Sequence, residues 1–157
     1  MKQARRTLKD FEMTTSEEVY VKEFYDLELS VNATFVFSEF FKEVKNSILK
    51  QYLTKVCLAK AKEFSFFRRL VQIIVKTNQE LPKLEFLFDV FSSFGDKLEK
   101  QQIKDFIRIF ELSPDHFNNK KEIDRDTFLD LTQECDLNFN LYEQAKFSII
   151  GMIGLSP

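Results

Sequence analysis

The sequence predicts an all-α protein, and three observations carry that expectation. Apolar residues recur at three- and four-residue steps, the period of helices with one buried face. Gly and Pro number only three each among 157 residues, too few for the turns of an all-β fold. The segments of strand-like composition are brief, none long enough for a free-standing sheet.

The helices follow in order. Ser16 with Glu17 and Glu18 reads as a helix start, with acids at the positive end of the dipole. Phe40, Phe41, Val44, Ile48, Leu49, Tyr52, Leu53 and Val56 mark one long amphipathic helix. Phe67, Leu70, Val71 and Ile74 repeat the pattern. Leu84, Leu87, Phe88 and Phe91 do so after Pro82, and Ile103, Phe106, Ile107 and Phe110 do so before Pro114. Ser113-Pro114-Asp115 is a stop and turn. A last helix is expected from about Leu141 to Ile150, with Gly151 and Gly154 at its fraying end. Between the helices, Ala33 to Phe37, Phe64-Ser65-Phe66 and Glu122-Ile123-Asp124 read as short extended segments. Helix, loop, three-residue strand, helix is the pattern of a helix–loop–helix hand, and two hands join their strands into a ribbon.

Composition excludes several functions. Gly95, Gly151 and Gly154 cannot form a phosphate-cradling glycine loop. One histidine, His116, and two cysteines, Cys57 and Cys135, exclude the common His/Cys zinc sites. The cysteines read as reduced thiols, not a disulfide framework. The basic start lacks the apolar core of a signal peptide, and no run reaches a membrane span; a cytoplasmic location is the expectation. Asn32-Ala33-Thr34 then matches a glycosylation pattern only by chance.

Charge is uneven along the chain. Residues 1–10 carry +3, residues 11–41 carry −6, residues 42–69 carry +6, residues 70–121 balance at zero and residues 122–157 carry −5. The block at 42–69 is either a patch for an acidic partner or a solvated face that pairs with the acidic block before it. Its aromatic residues fall at core spacing, not between the charges, which favours the second reading; nucleic acid is not an expected partner, nor is a membrane surface.

One segment is more specific. Residues 24–40 read FYDLELSVNATFVFSEF. Phe24 and Leu27 stand where an EF-hand has its apolar lead-in, Glu28 to Glu39 make a twelve-residue loop, Phe35 is its eighth residue, and Phe40 follows. The chain thus resembles a degenerate EF-hand protein of the calcineurin-B-like or recoverin-like kind, in the calmodulin superfamily. KLEFLFDVF (83–91) and SSFGDKLEKQQI (92–103) look like a third hand with a loop one residue short, Leu98 at the apolar position and Gln102 in place of the bidentate Glu. HFNNKKEIDRDTFLDL (116–131) looks like a fourth, with Ile123 at the apolar position and Thr127 replacing Glu. KVCLAKAKEFSFFRRL (55–70) is similar to a second hand, with Phe66 or Arg68 in the last ligand place. The resemblance implies paired hands with very short two-stranded ribbons, near Phe35 with Phe66 and near Leu98 with Ile123. It divides the chain into a basic arm (1–15), a first pair (16–78), a second pair (79–138) and an apolar C-terminal helix or tail (139–157).

Calcium chemistry fits this frame poorly. Calcium takes six to eight oxygens, with Asp first and Gly sixth in the loop. Here the candidate metal ligands are Glu28, Ser30, Asn32 and Glu39, with Ala33 at the sixth position. No cofactor is therefore expected, with calcium at this one loop as the alternative.

No catalytic residues are expected. His116 and Cys57 are the only candidates for base and nucleophile, and no third residue at a suggestive spacing orients either. Asp124, Asp126 and Asp130 read as solvated charges near a helix start. Nineteen Phe are the stronger signal. An open EF-hand lobe exposes an apolar groove for an amphipathic helix. Phe41, Val44, Leu70, Ile74, Phe88, Phe91, Phe106 and Phe110 are the candidate groove residues. Phe147, Ile149, Ile150, Met152 and Ile153 are a candidate internal filler, or ordinary core. The expected function is a non-catalytic, largely calcium-independent adaptor or regulatory module that grips a helix of a partner or of an attached enzyme. The alternatives are a calcium sensor with one working loop, 28–39, and an all-α structural subunit of a large assembly.

Overall fold

A computed structural model describes residues 12–156 apart from 134, 136 and 138. The basic arm falls largely outside the described residues. What is described is mostly helical, with one two-stranded ribbon.

Helix α1 is Thr15–Phe24. Its cap is Thr14, not Ser16: the Thr14 hydroxyl accepts from the Glu17 amide (3.2 Å) and the Glu17 carboxylate accepts from the Thr14 amide (2.8 Å), a reciprocal capping box. The helix widens into a π turn over Tyr25–Leu29. Helix α2, Ala33–Phe40, starts on Asn32, whose side chain accepts from the Phe35 amide. Helix α3, Ser47–Ala59, starts in the same way on Asn46, which accepts from the Leu49 amide. Helix α4, Phe64–Val71, runs into a second π turn at Gln72–Lys76. Helix α5, Glu80–Ser92, carries Pro82 in its first turn, where a missing N–H leaves no gap. Strand β1 (Lys97–Glu99) leads into α6 (Lys100–Ile109), and β2 (Glu122–Asp124) leads into α7 (Arg125–Gln133). Helix α8, Asn140–Ile153, ends on Gly154 at φ +89°, a left-handed cap that suits glycine.

Three expectations change. Ala33 to Phe37 and Phe64 to Phe66 are helical, so the first ribbon, near Phe35 and Phe66, does not form. Helical spacing buries Val36, Phe37 and Phe40 together, and Phe67, Leu70 and Val71 together; strand alternation would put half of each set outward. The long helix expected from Phe40 to Val56 is two helices, because Asn46 caps a new start. The fourth hand lacks a helix before its strand: residues 114–119 are successive turns, following Pro114.

The second ribbon forms with the expected register. β1 and β2 are antiparallel, with Leu98 opposite Ile123, both buried, and Lys97 bonded to Glu122 across it (2.9 Å).

Two aromatic clusters hold the helices. Phe24, Phe40 and Phe67 stack on one another at 5.8 to 6.1 Å and join α1, α2 and α4. Phe106 packs on Phe91, Phe117 and Phe128 at 5.1 to 5.9 Å. These clusters belong to one continuous core running from Met13 to Leu155, so the expected segments do not have separate interiors. Helix α8 closes it against α1, α2 and the second π turn. Glu18 to Arg68 (2.6 Å) and Glu17 to Lys76 (3.0 Å) pair the acidic block with later cations, as the charge pattern suggests.

Phe106→Ala should cost about 3–5 kcal/mol, because the ring is fully buried among other rings. Phe147→Ala, on the exposed face of α8, should cost about 0.5 kcal/mol or less. Urea unfolding of both variants checks the contrast; equal losses would mean that Phe106 is not a hub.

Candidate functional site

The loop at 28–39 does not have the interior of a hand. Leu27 and Phe35, the expected apolar lead-in and eighth residue, are both exposed, while Phe24 and Phe40 are buried. The oxygen of Asn32 is committed to the cap of α2. The Ser30 hydroxyl donates to the Asp26 carbonyl (2.5 Å). Glu28 is exposed and Glu39 half-buried. Among the described residues no group of three or more His, Cys, Asp or Glu side chains converges as a metal cluster does.

The second pair of loops shows what its substituted residues do. Gln102 stands in the last ligand place of the third loop, and its side-chain oxygen accepts from the Glu99 amide at 2.7 Å. In the fourth loop the Asp124 carboxylate accepts from the Thr127 amide at 2.8 Å. That amide bond holds the Asp124 carboxyl below the usual carboxylate range. Both bonds satisfy N–H groups at a helix start directly after the ribbon. Side-chain caps thus close both turns from strand to helix.

The candidate groove residues lie in the core. Phe41, Val44, Leu70, Ile74, Phe88, Phe91 and Phe106 are buried, and Phe110 is partly so. Those that reach a cleft among the described residues do not share one. Leu70 reaches the wall of one cleft, and Val44 and Phe110 reach a second. The reason is α8. Its Ile149, Ile150 and Ile153 are buried, while Phe147 on the opposite side is exposed. The Tyr142 hydroxyl donates to the Lys83 carbonyl (2.6 Å), which fixes the start of α8 to α5.

The chemistry of the two thiols differs. Cys57 is fully buried, and burial pushes its thiol far up, which makes it inert. Cys135 was not singled out by sequence, yet its Sγ lies 3.2 Å from Nε2 of His116. The same Nε2 is 2.8 Å from the Leu131 carbonyl, so it carries the proton and donates it there. The thiol meets the carbonyls of Leu131 and Thr132, at 3.4 and 3.3 Å. The pair joins the turn at 116 to the end of α7.

Sequence reasoning also missed a groove of about 520 Å³ between α6 and the turns before β2. Ile103, Ile107 and Pro114 supply apolar surface. Lys100, Lys104 and Arg108 line it from α6, and Lys120 and Lys121 from the facing turn. Asn118 and Asn119, at φ +56° each, turn the chain there; asparagine tolerates that left-handed shape better than most side chains. Lys22, Lys60, Arg68, Lys76, Lys97 and Arg125 are in ion pairs. Among the described residues none of the five groove cations is. No sequence signal marked them, because acids between them bring residues 70–121 to zero net charge.

No protein-family model, curated protein or solved structure matches this chain. No helix among the described residues is long and apolar enough to cross a membrane.

Asp124→Ala and Gln102→Ala should each cost about 1 kcal/mol, the ordinary cost of a lost helix cap. The loss should be the same with and without calcium in urea unfolding. A loss seen only with calcium present would show that these side chains serve a metal instead.

Proposed function

We propose that the protein is a non-catalytic, largely calcium-independent binding module of degenerate EF-hand type, which takes an amphipathic helix of a partner or of an attached enzyme. The observation that carries this reading is the seat of α8. An amphipathic helix lies against α1, α2 and the second π turn with its apolar face inward. A helix in an apolar groove is a common mode of peptide recognition. Here the chain's own C-terminal helix occupies the groove, and a partner helix would compete with it. The antiparallel pairing of Leu98 with Ile123 supports the EF-hand part of the reading for the second pair; the helical Phe35 and Phe66 segments give it no support in the first.

Two experiments test this. Removing residues 141–157 should raise the binding of a dye for exposed apolar surface while circular dichroism keeps most of the remaining helix. If the truncated chain unfolds, α8 is core and no groove is being masked. Isothermal titration at millimolar calcium should show no binding tighter than roughly 0.1 mM, the weak end of the range for such loops. Calcium binding at micromolar concentration, abolished by Glu39→Gln, would replace the adaptor with a sensor that uses the loop at 28–39.

A further inference from the structure

Two orphan surfaces of the molecule are complementary. The first is the basic groove on α6. Lys100, Lys104 and Arg108 recur every four residues, so they form a row about 12 Å long on the helix. Ile103 and Ile107 run beside that row. Gathered cations repel one another, and they attract an acidic surface.

The second surface lies in the acidic block at 11–41, which carries a net charge of −6. Leu27, Val31 and Phe35 are 69%, 78% and 56% exposed. They stand on the π turn, on the turn after it and at the start of α2, within nine residues of chain, beside the exposed Glu23 and Glu28. Glu23 and Glu28 are in no ion pair among the described residues. Large apolar side chains this exposed and this close in sequence mark an interaction surface.

We propose that the occupant of the basic groove is the acidic, apolar stripe of a second copy of this chain. Leu27 and Val31 would cover Ile107 and Pro114, the apolar lining that is not buried in the core, with Glu23 and Glu28 among the cations. The two surfaces are different, so the contact is head-to-tail: a pair keeps one free groove, on one copy, and one free stripe, on the other. Such contacts generate open chains, or rings where the rotation closes. The inference goes beyond the partner-helix reading and does not depend on it, since it uses neither α8 nor the buried groove residues.

The test is sedimentation velocity on the full chain and on two variants. The wild type should form species larger than a monomer as concentration rises, and raising salt from about 0.05 M to about 0.5 M should weaken this by about tenfold or more, because exposed charges are screened. Lys104→Glu with Lys120→Glu, and separately Leu27→Asp with Val31→Asp, should each be monomeric. Mixed, they should form a one-to-one pair and stop, because one intact groove and one intact stripe remain. All four positions are exposed, and circular dichroism checks that each variant folds. If a variant does not fold, the milder full-chain pair Lys104→Gln with Lys120→Gln, or Leu27→Ser with Val31→Ser, takes its place in the same mixing. A wild type that stays monomeric at low salt overturns the proposal. So does a groove variant that still self-associates, or a mixture that fails to pair.

Discussion

Aromatic packing is the constraint on which the rest of the structure depends. Phe24, Phe40 and Phe67 come from three helices and meet face to face. Phe106 meets rings from α5, from the turn at 117 and from α7. Rings of this size leave voids unless several helices approach at once. Short helices with side-chain caps satisfy that demand, because each can end where its last ring is covered. Asn32 and Asn46 start two such helices where the apolar spacing alone reads as one strand and one long helix.

Helix α8 is the consequence for function. The helices around the first cluster leave an apolar face, and α8 lies on it with Ile149, Ile150 and Ile153 turned inward. Of the residues that spacing proposes as a groove, Ile74 lies in the π turn beneath α8, while Phe88, Phe91 and Phe106 are enclosed within the second cluster. The exposed apolar side chains from Leu27 to Phe35 and the cations of α6 remain on the outer surface of the molecule. Tyr52 of α3 packs on Phe91 of the second cluster and bonds Asp105 of α6, so the position of α6 follows from the core beneath it.

The short ribbon shows how a loop can keep its shape without a metal. Leu98 and Ile123 pair and are buried. The amides that follow are satisfied by Gln102 and Asp124. A bound cation also holds such a turn, through oxygens at fixed positions. Here local hydrogen bonds hold it, and they form from residues only three positions apart.

The helical class, the stop at Pro114, the buried Cys57 and the pairing of Leu98 with Ile123 were legible in the residues. Each depends on local spacing or on a single pair of apolar positions. The conformations of Ala33 to Phe37 and of Phe64 to Phe66 were not, because a short aromatic run suits strand and helix equally until its neighbours choose which faces are buried. The location of the candidate groove residues was not either, since apolar spacing marks a buried face without naming what covers it. The basic groove was invisible for a different reason. Its cations are interrupted in sequence by Asp105, Glu111 and Asp115, and net charge averages them away. Helical periodicity places Lys100, Lys104 and Arg108 in one row, but only the fold brings Lys120 and Lys121 across from them. Periodicity along one helix is a property of the chain; what faces that helix is decided by packing between elements far apart in sequence.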